Sequence, residues 1–113
     1  MRLKSDFWVQ AYVRRCASAD VPAMVVRHGD DQAGAIFIRI SALDGTGALY
    51  GPVPSGFSDN DDGERRWTLH LPAGTPDAAI ESHLERQAAF DSDLWVVEVE
   101  DRRGRHFLDG WLG

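Results

Sequence analysis

Between Leu94 and Glu100 the side chains alternate: Trp95, Val97 and Val99 fall on one side, and Leu94, Val96, Glu98 and Glu100 on the other. A period of two marks a strand with a buried face, because successive side chains project to opposite sides of a sheet. The two glutamates predict that the second face meets water at that end. Asp101-Arg102-Arg103-Gly104 then supplies turn chemistry. Asp hydrogen-bonds the backbone ahead of it, and Gly accepts the positive φ of a tight loop. The pattern therefore predicts a hairpin, with His106, Phe107 and Leu108 returning beside the first strand. The tail carries a large ring, Trp111, which either folds back over a core edge or meets a partner.

Earlier in the chain, Ser5-Asp6 opens a predicted helix, with Ser5 as N-cap and Asp6 at the positive helix end. Trp8, Val9, Tyr12, Val13 and Cys16 form one helical stripe, and the helix should end near Ala19-Asp20, before Val21-Pro22. The β-branched and aromatic content of residues 7–13 leaves a strand as the alternative. Ala23–Arg27 and Ala35–Ile40 read as strands, separated by a Gly-bounded turn from Gly29 to Gly34. Asp44-Gly45 marks a hairpin turn, from which Ala48–Tyr50 returns. Gly51–Gly63 reads as a loop. Arg65–Leu71 alternates again, with Trp67, Leu69 and Leu71 inward. Thr75-Pro76-Asp77 starts a second helix, with a hydroxyl cap and Pro at the first helical position. It should run to about Ala89 on a thin stripe of Ala79, Ile80, Leu84 and Ala88. Short turns between strands imply antiparallel pairing. The expected class is α+β: an antiparallel sheet of about five to six short strands with two packed helices.

The chain has 113 residues, 43% of them hydrophobic and 27% charged, which fits one globular domain spanning residues 1–113. Its net charge of −6 is uneven: residues 1–56 carry five acids and six bases, and residues 57–113 carry thirteen acids and six bases. An acidic balance argues against non-specific nucleic-acid binding, which needs a basic surface to displace counterions. One cysteine, Cys16, allows no intrachain disulfide. The first residues lack the apolar run of a secretory signal, and no stretch approaches the roughly 18 apolar residues of a membrane span. A cytoplasmic location is expected, with no membrane partner.

Several segments together resemble a known family. They are Met1–Arg15, Gly-Ala-Ile-Phe-Ile at residues 34–38, Leu-Tyr-Gly-Pro at residues 49–52, and Phe-Asp-Ser-Asp-Leu-Trp-Val-Val-Glu-Val-Glu-Asp-Arg at residues 90–102. The chain is similar along nearly its whole length to small alphaproteobacterial proteins grouped as domain of unknown function 1491. The acidic stretch near Asp59–Gly63 departs from that pattern. The resemblance implies a bacterial, cytoplasmic, single-domain protein, and it carries over no activity, cofactor or catalytic residue.

Candidate chemistry is sparse. Cys16 falls on an apolar helix stripe, the usual place of a buried structural thiol rather than a nucleophile. His28, His70, His83 and His106 sit on different elements without the short spacing of a zinc site, so no metal set is assigned. Asp59-Asn-Asp-Asp-Gly63 fails the calcium-loop spacing, since Leu69 would stand where a bidentate Glu is needed. Gly45-Thr-Gly-Ala-Leu-Tyr-Gly51 lacks the spacing and the following helix of a dinucleotide fingerprint, and a hairpin turn explains it. Arg14-Arg15, Arg65-Arg66 and Arg102-Arg103 with Arg105 are basic doublets that could clamp a phosphate if they converged. Trp67 and Trp95 fit the core by alternation and Trp8 by helical spacing, whereas Trp111 fits neither pattern. Exposed aromatics are enriched as interface anchors.

The expected role is a non-catalytic binding or interaction module, its partner another protein or a second copy in a homodimer. The binding residues would be Trp111, Arg102, Arg103, Arg105 and His106. The alternative is a small enzyme or anionic-ligand-binding protein using the arginine doublets and His106. No catalytic residue and no cofactor is assigned. A pocket gathering Arg and His would favour the alternative; a flat apolar patch would favour the module.

Overall fold

The computed structural model describes residues 3–54 and 64–113. The chain runs α1 (Ser5–Ser18), β1 (Ala23–Arg27), β2 (Ile36–Ser41), β3 (Thr46–Pro52), β4 (Trp67–Pro76), α2 (Asp77–Phe90) and β5 (Trp95–Glu100). The five strands form one sheet in the order β1-β5-β2-β3-β4. Three pairings are antiparallel and one, β2 with β5, is parallel. The architecture is α+β, with a mostly antiparallel mixed sheet between two helices.

Both faces of the sheet are covered. Ile36, Ile38 and Ile40 of β2 and Trp95, Val97 and Val99 of β5 pack against Trp8, Val9, Tyr12 and Cys16 of α1. Phe37, Leu49, Leu94 and Val96 point the other way, onto Ile80 of α2, with Leu84 and Ala88 at the margin. Full burial of one such large apolar side chain contributes about 1.5–3 kcal/mol, far above a surface ion pair. All four tryptophans, Trp8, Trp67, Trp95 and Trp111, lie on the α1 face. Trp8 stacks on Trp67 at 4.3 Å between ring centroids, and Trp111 meets Trp8 edge-on at 5.7 Å. The Trp67 indole N–H donates to the carbonyl of Ile36 at 2.9 Å, which satisfies its buried polar atom.

Residues 5–18 are helix, so the strand alternative falls. Its end is a Schellman motif: the Val21 N–H reaches the Cys16 carbonyl and the Asp20 N–H the Ala17 carbonyl, with Asp20 at φ 61° where glycine is usual. Its start differs from expectation. Ser5 lies inside the helix, and the cap position, Lys4, makes no side-chain cap bond. The first amides are met by main chain instead, Ser5 N–H by the Gln32 carbonyl and Asp6 N–H by the Asp31 carbonyl. The turn at residues 29–34 thus does the capping, and the buried Ser5 hydroxyl is released for other bonds.

Three further expectations are corrected. The first is the return strand at His106–Leu108, a region where no strand forms. The turn at Asp101–Gly104 is present, closed by the Gly104 N–H on the Asp101 carbonyl at 3.0 Å. Both edges of β5 are already taken, however, by β1 and by β2. The chain therefore leaves the sheet and crosses the α1 face, where the Tyr12 hydroxyl holds the His106 carbonyl at 2.6 Å.

The second concerns β4. Trp67 points inward to the α1 face, but Leu69 is exposed and Leu71 packs on the α2 side. A register shift explains the side taken by Leu71: Tyr50 pairs with Leu69 and the adjacent Leu49 with Leu71, so His70 is extra. A bulge of this kind reverses the alternation.

The third is the start of α2. Thr75 belongs to β4 and turns its hydroxyl to the Pro72 carbonyl, Pro76 is the cap residue, and Asp77 begins the helix. The helix runs one residue past Ala89, to Phe90. Glu98, at the end of the face expected to meet water, is partly exposed and lies 3.6 Å from Arg39, which also faces Asp77 at 3.1 Å and Glu81 at 3.7 Å. The expected loop at Gly51–Gly63 begins inside β3, and its residues 55–63 lie outside the described residues, including the acidic stretch at Asp59–Gly63.

Candidate interaction surface

The tail meets the outer edge of β4 at Trp67, its first residue, and no further strand lies beside either outer edge among the described residues. Along β4 the tail folds back: the Trp67 N–H donates to the Trp111 carbonyl at 2.7 Å, and the Gly113 N–H to the Trp67 carbonyl at 2.9 Å. Leu112 thereby forms a parallel bridge with Trp67 on the outer side of the sheet. At the opposite edge, β1 has β5 on one side and, among the described residues, no strand on the other. An uncovered edge presents free N–H and C=O groups to any extended chain.

The side chains of β1 sharpen this. Met24, Val25 and Val26 are 40%, 42% and 55% exposed. The usual protections of an edge are charge, proline or a covering segment. Here the strand carries one charge, Arg27, and its guanidinium turns away to the Ser92 carbonyl at 3.1 Å. Two residues before Ser92, Phe90 ends α2 with its ring 92% exposed. The register shifts between Val25 and Arg27, so the strand twists at its centre without being covered.

The residues singled out from the sequence lie elsewhere. Trp111 folds back: its ring is half-buried against the α1-side core. Arg105 is tied to Asp101, with Nε 2.9 Å from Oδ2. That hydrogen bond, with the N–H groups of Arg105 and Arg103, holds the Asp101 carboxyl below the usual carboxylate range. Arg102 and Arg103 are exposed on the turn. The His106 Nδ1 accepts the Leu108 N–H at 2.8 Å, which places the ring proton of the neutral form on Nε2, and the ring lies 5.2 Å from that of Tyr50.

The arginine doublets do not form one cluster. Arg65 is buried and bonds Ser5 Oγ at 2.7 Å and the Leu3 carbonyl at 3.3 Å. Arg15 and Arg105 approach one ring, Phe107, at 6.0 and 5.4 Å. A shallow recess of about 150 Å³ opens beside Ile40, Ala48, Tyr50 and Leu69, and no Arg or His is among its described lining residues. Cys16 is fully buried and burial pushes its thiol up, which disfavours the thiolate a nucleophile needs.

One pair was hidden by its spacing. His70 on β4 and His83 on α2 meet with Nδ1 and Nε2 3.4 Å apart. Among the described residues no group of three His, Cys, Asp or Glu could hold a metal ion. No helix among them is long and apolar enough to cross a membrane.

Comparison with known proteins agrees with this fold. A solution structure of a protein from A. tumefaciens is 46% identical, with a TM-score of 0.77, 89% of this chain and 87% of that one being covered. A crystal structure of a DUF1491 family protein from Caulobacter crescentus is 34% identical with a TM-score of 0.80, covering 100% and 99% of the two chains. An NMR structure of a DUF1491 family protein from the same organism is 38% identical with a TM-score of 0.76, covering 95% and 93%. No curated protein matches the chain. The model of the family described as "Protein of unknown function (DUF1491)" matches residues 3–109, and the chain therefore belongs to that family.

Proposed function

We propose that this chain is a non-catalytic binding module that takes up an extended strand along the open edge of β1. The observation that carries the reading is the run Met24-Val25-Val26, exposed at an edge with which no other strand pairs among the described residues. In strand addition the main chain supplies affinity, and alternate side chains supply specificity. A second copy of the chain is the simplest occupant. Two β1 strands running antiparallel about a two-fold axis would present the same apolar residues to each other, as an isologous interface requires.

Lysine at Val26 adds a charge to the edge, the device that natural edge strands use against pairing. Sedimentation across a concentration series should show a dimer for the wild type and a monomer for Val26→Lys, with the same far-UV spectrum. The same pair serves as bait in a pull-down. A wild type that stays monomeric, and whose captured proteins are unchanged by Val26→Lys, would sink the reading.

A further inference from the structure

We propose that His70 and His83 form a two-histidine site for a divalent ion of tetrahedral preference, zinc being the type, which ties α2 to β4. The two imidazoles come from elements on the same face of the sheet, with ring planes 89° apart. His70 is held by several features at once. Alternation from Trp67 puts it on the α2 face, where it packs edge-on against Phe37 at 5.5 Å. Gly51 makes room for it: a Cβ there would stand 2.7 Å from the His70 ring and 2.6 Å from Phe37. The carbonyl of Pro52 lies 3.2 Å from His70 Nε2. A carbonyl only accepts, so Nε2 carries the proton and the Nδ1 lone pair is left on the side of His83. Ligating histidines are oriented in this way, by a carbonyl on the far ring nitrogen.

The separation is that of a long hydrogen bond and also suits ligation of one ion. A nitrogen-to-nitrogen hydrogen bond closes to about 2.9–3.0 Å. Two imidazole nitrogens at about 2.0–2.1 Å from a tetrahedral ion stand about 3.3–3.4 Å apart, whereas right-angled positions bring them to about 2.9 Å. The observed 3.4 Å matches the tetrahedral case. A modest swing of His83 would aim both lone pairs at one point. With no third protein ligand among the described residues, water completes the sphere.

The test is calorimetric titration of the full chain with zinc chloride, with magnesium as control, alongside melting temperature with and without EDTA. The expected result is one zinc per chain, a melting temperature raised by zinc and restored by EDTA, and no response to magnesium. His83→Gln should weaken binding by at least about tenfold. Gly51→Ala should weaken it by displacing His70, and His28→Gln should leave it unchanged. Absence of saturable zinc binding, or binding unaltered in His83→Gln, overturns the proposal.

Discussion

Ser5 accepts a 2.7 Å hydrogen bond from the guanidinium of Arg65 and donates its own proton to the carbonyl of Gly34 at 2.7 Å. Both side chains are buried, so a serine at a helix start serves here as a junction between α1, the turn after β1 and the segment entering β4. Ser5→Ala withdraws an acceptor from a buried cation and a donor from a buried carbonyl. The expected cost is about 1–3 kcal/mol, the range for leaving buried polar groups short of a partner. Urea unfolding with an unchanged m-value checks it; a loss within a few tenths of a kcal/mol would contradict the junction.

Asp101 gathers the turn after β5, accepting from two backbone amides and from Arg105. Its folded pKa lies below its ordinary value of 3.8, chiefly through the Arg105 hydrogen bond. The sign follows from linkage: the contribution is complete above the unfolded value and is lost as pH falls through the lower folded one. Melting temperatures between about pH 2 and 6 should therefore fall more steeply for the wild type than for Asp101→Asn. Parallel acid limbs would refute this.

Cys16 is fully buried and its thiol is pushed up by burial. A maleimide should label it only as fast as the native state opens, and promptly in denaturing urea. Mass spectrometry of timed aliquots reads the two rates. Prompt labelling of the native chain would show that the α1 stripe is less closed than described.

Periodic burial made much of the fold legible. The alternation of Ile36, Ile38 and Ile40, that of Trp95, Val97 and Val99, and the stripe from Trp8 to Cys16 each name the face that is in fact buried. What stayed hidden depends on partners distant in sequence. The return at His106–Leu108 has good turn chemistry, but pattern alone does not reveal that β5 is flanked on both sides. Leu69, expected inward with Trp67, is exposed, and a bulge at His70 moves Leu71 to the other face. His70 and His83 converge across a strand and a helix, so their separation along the chain says nothing of their contact. The exposure of Met24–Val26 was equally unreadable, because an apolar strand looks the same at an edge as at the centre of a sheet.

The place of β5 has a consequence for how the chain is made. It is the last strand in sequence, yet it lies between β1 and β2. A ribosome therefore delivers four strands before the one that joins β1 to the rest exists. Until Glu100 has cleared the exit tunnel, β1 is unpaired on both sides and the isoleucines of β2 lack their parallel neighbour. Long-range pairing of this kind folds slowly and exposes apolar strands in the interval. The nascent chain, with Met24–Val26 lacking the neighbour that β5 supplies, is then the species most in need of a chaperone.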